Sequence, residues 1–209
     1  AAFQKALQKA NQDTDAYEKL LQDLATKAGD NGTAFEKYAS GNPVAFSYVR
    51  ANRIIDKKGW YEGVCFVDVF DAAHLPHGNA KNTAMLYAGP PHGHNHEPAA
   101  DYLNAITEMA SNIISTVAGY NSIAAQNGQP PIEALRLCLY SSAIYNESRE
   151  NPGVLYVPLK DVARAIFAGL STAVQKQDSG LSEIQLPCSS TLFGAVKADL
   201  TQPAVGAGN

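Results

Sequence analysis

Apolar residues recur at helical spacing near the start of the chain, at Tyr17, Leu20, Leu21 and Leu24. Because residues three and four apart lie on one face of a helix, this spacing predicts helical structure within residues 3–28, and a second short helix is predicted over residues 32–39. The next segment, NPVAFSYVRANRIID, brings aromatic and β-branched residues into near alternation, which is typical of a strand. We therefore predict a helical extension over residues 1–42, in front of the main domain.

From residue 61 onward, strand-like apolar runs alternate with amphipathic helical segments. The strands are predicted at VCFVDVF, TAMLYAG, LRLCLY and SEIQL, and the helices at ADYLNAITEMASNIISTVAGYNSIAAQNG, VPLKDVARAIFAGLSTAV and TLFGAVKADL. One face of the first helix carries Leu103, Ile106, Met109, Ile113, Ile114 and Val117. The alternation favours an α/β domain over residues 43–200 with a largely parallel central sheet. Residues 201–209 are predicted to form a flexible tail.

The composition narrows the classes of partner. The chain has 209 residues, and 45% of them are hydrophobic, which is enough for a sizeable core. Its net charge is −4, and Lys and Arg are scattered without a basic run, which argues against a nucleic-acid groove built on phosphate contacts. The apolar stretches fall short of the ~20 residues of a membrane span. We therefore predict that neither nucleic acid nor a membrane is a partner.

Cysteine usage indicates the compartment. Cys65, Cys138 and Cys188 each lie in an apolar run, which predicts buried free thiols in a reducing environment. The predicted location is the cytoplasm, either of the protein's own cell or, for a delivered effector, of a host cell. Asp68 lies inside the apolar run VCFVDVF, where it is either a buried acid or an outward-pointing residue of an alternating strand.

All five histidines lie in one stretch of the chain, at His74, His77, His92, His94 and His96. Three interpretations stay open. The H-x-H-x-H segment formed by the last three offers alternate imidazoles for Zn²⁺ or another divalent ion, with Asp71 or Glu97 completing the coordination shell. Alternatively, His74 or His77 contacts a ligand as a hydrogen-bond donor or general acid/base. In the third interpretation, the stretch is an inert polar loop.

Small polar residues follow another predicted strand, in the segment SSAIYN. Ligands of open α/β sheets bind beyond the carboxyl ends of the parallel strands. Small side chains at Ser141 and Ser142 would let consecutive backbone N–H groups approach a phosphate. The alternative is that the two serines only end the strand, since serine is favoured in turns.

The order of these segments resembles a macro domain, the ADP-ribose-binding module. LRLCLYSSAIYN, followed by VPLKDVARAIFAGLSTAV and LSEIQLPCSSTLFGAVKADL, is similar to the family's strand, S-T-G-[IV]-Y-G phosphate loop, helix, final strand and closing helix. NTAMLYAGPPHG is similar to the family's strand ending in V-G-P, and VDVFDAAHL to its strand ending in N-A-A-N. Ala143 and Asn146 replace the loop glycines, and Asp71 and His74 replace the two asparagines. The resemblance implies a three-layer α/β sandwich with a mixed, largely parallel central sheet.

The resemblance also implies a function and a set of site residues. ADP-ribose or a related nucleotide, free or attached to a protein, would lie across the strand ends, and hydrolysis of an ADP-ribosyl bond is left open. Asp71 and His74 would be the catalytic residues. The ligand-binding residues would be Ala72, Ala73, His77, Ser141, Ser142, Ala143, Ile144, Tyr145, Asn146, Ser189 and Phe193. No cofactor would be required. The alternatives are a metal-dependent hydrolase built on the histidines, and a macro-like interaction module without nucleotide binding.

Overall fold

The computed structural model describes residues 26–28, 32–41, 44–52, 62–70, 84–142, 144–147, 154–187 and 189–200. Within these ranges the strands are β1 (Thr33–Lys37), β2 (Val44–Ala51), β3 (Val64–Phe70), β4 (Ala84–Ala88), β5 (Ala134–Arg136) and β6 (Glu183–Gln185). The longer helices are α1 (Ala99–Ala124), α2 (Leu159–Lys176) and α3 (Ser190–Leu200). Single 3₁₀ turns lie at Gly93–Asn95, Ala125–Asn127 and Ile144–Asn146, and residues 26–28 are helical.

The main sheet is antiparallel throughout. β1, β2, β3 and β4 are neighbours in chain order, and each pair of neighbours runs in opposite directions. β5 and β6 form a separate two-stranded parallel sheet. A parallel pair requires a crossover connection, and the segment between these strands contains α2. The prediction of a largely parallel central sheet in a macro-like sandwich is therefore wrong. The run VCFVDVF in β3 is buried on both faces, as strands of parallel sheets usually are, but here its partners are antiparallel.

β1 corrects the secondary structure predicted for residues 32–39. The segment TAFEK is short, and its exposed and half-buried residues alternate, which is the period of a strand. Hydrogen bonding to β2, with Phe35 opposite Tyr48, gives it extended structure instead of the predicted helix. β1 thus lies on the N-terminal side of the predicted domain boundary at residues 42 and 43 and pairs with a strand beyond it. The division into an extension, a domain and a tail stays a prediction.

The predicted apolar face of α1 is confirmed, and it forms the centre of the core. Ile106, Met109, Ile113, Ile114 and Val117 are buried, and Leu103 packs against them as a half-buried residue. α2 crosses α1 at close range at Gly169, where glycine leaves room for the approach. A Cβ atom at this position would lie 2.6 Å from Ala110 Cβ and overlap the Thr107 carbonyl oxygen. A second cluster, where Tyr120 packs on Phe46 and Tyr48, fixes the end of α1 on the main sheet.

The cysteine environments differ from one another. Cys65 is a free thiol buried between β3 and α1, and burial raises its pKa to about 12, so it stays protonated near neutral pH. Cys138 is also a free thiol, but it is exposed, which contradicts the prediction that it is buried. Cys188 lies outside the described residues.

Within the described ranges, none of the helices has the length and apolar content that crossing a membrane requires.

Candidate functional site

The predicted site residues fall into two groups along the chain. Asp71, Ala72, Ala73, His74 and His77 all lie outside the described residues. Their assignment as catalytic and ligand-binding residues stays a prediction. The second group, in the 141–146 loop, is largely described, and its side chains show what holds this loop in place.

The two serine hydroxyls of the loop donate hydrogen bonds within the protein. Ser141 Oγ donates to the carbonyl oxygen of Pro91 at 2.9 Å, and Ser142 Oγ donates to the carbonyl oxygen of Leu139. Ser141 is also held at φ +56°, a conformation that is uncommon for residues with a side chain. Both hydroxyls therefore help to fix the path of the chain, and phosphate binding by the backbone N–H groups of this loop stays a prediction. Ala143 lies outside the described residues.

Tyr102, in the first turns of α1, holds the loop from the other side. Its buried hydroxyl lies 2.8 Å from the carbonyl oxygen of Tyr145 and 3.1 Å from that of Ser141, so its single hydrogen is shared between two acceptors. Burial raises the pKa of Tyr102 well above its ordinary value, and the hydroxyl stays a donor. Asn146 continues the network, because its side chain both donates to the Val157 carbonyl oxygen at 2.8 Å and accepts from the Val157 N–H at 3.1 Å.

A buried carboxylate contacts part of the H-x-H-x-H segment. Glu62 Oε2 lies 2.6 Å from His96 Nε2, and both side chains are almost fully buried, at 2% and 1% exposure. Glu62 Oε1 accepts hydrogen bonds from Asn95 Nδ2 at 2.8 Å and from the His92 N–H at 3.2 Å. The ring of His96 stacks on that of Tyr102, with 6.1 Å between centroids. One carboxylate thus fixes the whole turn in front of α1.

We call Glu62, Asn95, His96, Tyr102 and Ser141 the polar junction, because they join the ends of β4 and β5 to the start of α1. Gly93 is part of the same packing, since a Cβ atom there would lie 3.2 Å from Tyr156 Cδ1 and 3.3 Å from the Glu147 carbonyl oxygen. Buried polar groups that bond to one another in this way stabilise a single arrangement of loops. Among the described residues, one ring nitrogen of the polar junction, His96 Nδ1, is buried without a hydrogen-bond partner. The other contacts of the polar junction hold these loops together.

The two other histidines of the segment pack edge to face. The ring of His92 lies 5.1 Å from that of His94 and 4.2 Å from that of Tyr145, measured between centroids. Burial lowers the pKa of His92, so this ring is neutral near pH 7. Among the described residues, no group of three His, Cys, Asp or Glu side chains is arranged to hold a metal ion. Zinc at His92, His94 and His96 stays a prediction.

Ser189 and Phe193 border a different part of the surface. Ser189 Oγ accepts a hydrogen bond from the Leu192 N–H at 3.2 Å, at the start of α3. Phe193 is 51% exposed and lines a groove of about 300 Å³ with Leu170 of α2 and Ile184 of β6. The lining of this groove contains no residue of the 141–146 loop. Phe193 and that loop, both predicted to bind the ligand, therefore do not share this groove.

Sequence reasoning missed a surface on the edge strand β1. Phe35 is 56% exposed, although its ring stacks on that of Phe46, with 6.0 Å between centroids and 18° between planes. Lys37 is exposed two residues further along the same face, and Arg50 of β2 lies on that face opposite Thr33. We call Phe35, Lys37 and Arg50 the β1 surface. The only signal in the sequence was a lysine near a phenylalanine, which is too common to indicate a site.

Among the described residues of β1, β2 and the adjoining half of α1, the charges near the β1 surface are mostly positive. Glu36, the acid of β1, points to the opposite face, where it pairs with Lys27. Burial raises the pKa of Tyr48, and the guanidinium of Arg50 beside it opposes that shift. The half of α1 that packs near β2, residues 110–124, contains no charged residue. An anion that approaches Lys37 and Arg50 therefore meets no carboxylate of β1 or of this half of α1.

Two relatives from malaria parasites carry a name that describes binding to nucleic acid. A protein of Plasmodium falciparum (isolate 3D7) named DNA/RNA-binding protein ALBA4 is 27% identical to the chain over 184 residues, which cover 81% of the chain and 47% of that protein. The protein of the same name from Plasmodium yoelii yoelii is 26% identical over 186 residues, with 82% and 47% covered. The chain spans about half the length of these relatives. Their names contradict the prediction, made from charge alone, that nucleic acid is excluded as a partner.

The sequence model of one family covers almost the whole chain. It is described as the mitochondrial association factor 1 C-terminal domain, and it matches residues 14–202. The resemblance to a macro domain is therefore wrong as a family assignment. ADP-ribose binding, ADP-ribosyl hydrolysis and the two alternatives, a histidine-based metal hydrolase and a macro-like interaction module, gain no support from this family or from the relatives. The chain belongs to the mitochondrial association factor 1 C-terminal domain family.

Proposed function

We propose that the chain binds single-stranded nucleic acid through the β1 surface. The observation that carries the proposal is the ring of Phe35, 56% exposed on an edge strand, with a cation on either side of it on the same sheet face. The names of the two relatives supply the class of ligand. Because the chain matches only about half of each relative, the activity is proposed for this chain and is tested on it directly.

Exposed aromatic rings on a sheet are a common platform for unpaired bases. A base that stacks on an aromatic side chain contributes about 1–3 kcal/mol to binding, and every base offers a face for stacking. The ring of Phe35 is held in one orientation because it stacks on the buried Phe46. A base that docks on Phe35 therefore meets a ring that is already fixed, and little side-chain freedom is lost on binding.

The charge distribution favours a single strand over a duplex. The chain carries a net charge of −4, so long-range attraction to the dense phosphates of a duplex is weak. Lys37 is exposed, and Arg50 is half-buried with its guanidinium bonded to the Tyr48 hydroxyl, so the β1 surface offers contacts to a few adjacent phosphates of one strand. In a duplex the bases are stacked on each other and do not present their faces to Phe35. Stacking thus supplies most of the affinity, with a modest electrostatic contribution.

The test is a binding titration with a matched variant. We expect a short fluorescein-labelled oligo-uridine to bind the wild-type chain, as followed by fluorescence anisotropy, and a duplex of the same length to bind more weakly. Phe35→Ala should weaken oligo-uridine binding by about 5- to 150-fold, which corresponds to the loss of one stacked base. Phe193→Ala is the control, because Phe193 is similarly exposed at 51% but lies on α3. Equal affinities of wild type and Phe35→Ala would overturn the proposal, and so would the absence of binding by the wild type.

We also infer that the protein works in the cytoplasm, its own or that of a host cell. The inference rests on the free thiols of Cys65 and Cys138, since a reducing compartment keeps thiols unpaired. Fluorescence microscopy of the tagged full-length protein tests it, and a signal confined to secretory organelles would contradict it.

A further inference from the structure

A cleft of about 450 Å³ separates β4 from β5. Residues 84–86 of β4 form one wall, and residues 134–137 form the other. The two strands belong to separate sheets, although past their ends the Ser141 hydroxyl is bonded to the Pro91 carbonyl oxygen. The cleft therefore lies where the edges of two sheets face each other. Its volume falls within the range of about 300–1,000 Å³ that is typical of ligand sites.

The backbone of β5 presents hydrogen-bonding groups to this cleft. The N–H of Leu137 donates to the Gln185 carbonyl oxygen, and the carbonyl oxygen of Glu133 accepts from the Ser182 N–H, so these residues face β6. In a parallel pair, successive residues direct their N–H and C=O groups to opposite sides. Ala134 and Arg136 consequently direct theirs away from β6 and toward the cleft.

The edge of β4 supplies the matching groups on the other wall. Gly89 uses both its N–H and its carbonyl oxygen toward β3, with Val64 and Gly63 as partners. The same alternation along β4 directs the backbone groups of Ala84 and Leu86 away from β3 and toward the cleft. Two strand edges thus direct backbone donors and acceptors toward the cleft.

The floor and the mouth of the cleft differ in character. Val69, Leu86, Tyr120 and Leu135 lie on the side of α1 and form an apolar floor. The exposed residues of the lining include Met85, which is 47% exposed, and the charged residues Arg136 and Glu133. Within the described residues, the ion pairs do not include Arg136. A strand in this position would direct alternate side chains to the apolar floor and to the mouth beside the guanidinium.

We propose that the cleft binds an extended peptide segment of a partner protein, which joins β4 and β5 into one continuous sheet. The segment has apolar residues at alternate positions and an acidic residue facing Arg136. Backbone hydrogen bonds to the two edges give affinity, and the apolar floor and Arg136 give specificity, as in other cases of strand addition. The proposal is independent of the nucleic-acid surface, which lies on the opposite edge of the main sheet, at β1.

The test uses a fluorescein-labelled heptapeptide in which valine alternates with threonine and glutamate. We expect it to bind the full chain in anisotropy titrations. Two further peptides carry N-methyl groups, one at the odd-numbered amides and the other at the even-numbered amides. Each peptide therefore lacks the N–H donors that face one of the two strands, β4 or β5. At least one of them should bind about tenfold more weakly or worse. Hydrogen exchange should show slower exchange of the Ala134 and Arg136 amides when the peptide is bound.

A charge reversal makes the test specific to the mouth. Arg136→Glu should reverse the preference between the glutamate peptide and one with lysine in its place, by about tenfold in each direction. Lys160→Glu, an equally drastic change at an exposed position of α2, is the control and should leave the preference unchanged. No binding at about 1 mM peptide, full binding of both N-methylated versions, or an unchanged preference in Arg136→Glu would each overturn the proposal. A dimer of the chain that is abolished by Arg136→Glu in sedimentation would also overturn it, since a second copy would then be the occupant.

Discussion

The polar junction and the β1 surface differ in how their polar groups are used. In the polar junction, the Glu62 carboxylate, the Tyr102 hydroxyl and the Ser141 hydroxyl all bond to groups of the same protein, and these residues are almost fully buried. On the β1 surface, Phe35 and Lys37 are exposed, and the charges lie next to an apolar ring. The region richest in catalytic residue types is therefore the region best suited to hold the fold together.

The difference shows that residue type and residue availability are separate properties. A buried carboxylate that accepts three hydrogen bonds is costly to disturb, because any ligand would have to replace those bonds. An exposed ring on an edge strand already contacts water, and a base that covers it gains stacking without breaking an internal bond. From this contrast we infer that the polar junction stabilises the fold, and we propose that the β1 surface binds the ligand.

The largest expected effect comes from removing the central carboxylate of the polar junction. Glu62→Ala leaves His96 and Asn95 without their acceptor in a buried site, so the free energy of unfolding should fall by about 3–5 kcal/mol. Urea unfolding followed by circular dichroism measures this change. Glu183→Ala, at an exposed acid of β6, is the control and should change stability by less than about 0.5 kcal/mol. If the polar junction is structural, the folded fraction of Glu62→Ala still binds oligo-uridine as the wild type does; a selective loss of binding at unchanged stability would reverse the comparison.

A somewhat smaller effect is expected from the acid inside the main sheet. Asp68 is 1% exposed, so it is a buried acid, and it accepts a hydrogen bond from Ser47. Burial raises the pKa of Asp68 from 3.8 to about 6. Because the folded state then binds the proton more tightly, the contribution of this group to stability is fully present below the ordinary pKa and is lost as pH rises through about 6.

The neutral variant Asp68→Asn isolates this contribution. Between about pH 4 and about pH 7, the wild type should lose ~2 kcal/mol of unfolding free energy relative to Asp68→Asn. Urea unfolding at a series of pH values measures the difference, and Asp101→Asn, at an exposed acid of α1, should show no such change. A constant difference between wild type and Asp68→Asn across this range would mean that Asp68 is not held neutral by burial. The result shows whether the main sheet, which carries the β1 surface, makes its own pH-dependent contribution to the free energy of unfolding.

The smallest effect is expected from one cation of the β1 surface. Lys37→Ala should weaken oligo-uridine binding only modestly and reduce the slope of log affinity against log salt by ~0.7, since one phosphate contact to a single strand is lost. Lys160→Ala, at a cation of α2, should leave the slope as it is. Anisotropy titrations at several salt concentrations measure both. An unchanged slope in Lys37→Ala would place the nucleic acid elsewhere on the molecule.

Several elements could be predicted from local patterns, and several could not. The apolar stripe of α1 was predicted residue by residue, because a helix of 26 residues repeats its pattern often enough to be unambiguous. β1 was predicted as a helix, because five residues contain too few repeats, and pairing with β2 decided its structure. Strand direction was predicted wrongly for the main sheet, since an apolar run such as β3 is compatible with parallel and antiparallel partners once both of its faces are buried.

The sequence by itself determined where the long helices and the inner strands lie. It also showed that Asp68 lies within an apolar run and that the histidines cluster along the chain. Each of these follows from the order and spacing of residues along the chain. Only the tertiary structure decided that Glu62, 34 residues from His96, is its partner, and that Phe35 is left exposed at a sheet edge. Contacts between distant segments depend on which strands pair and on which helix covers which face, and those choices minimise the free energy of the whole fold.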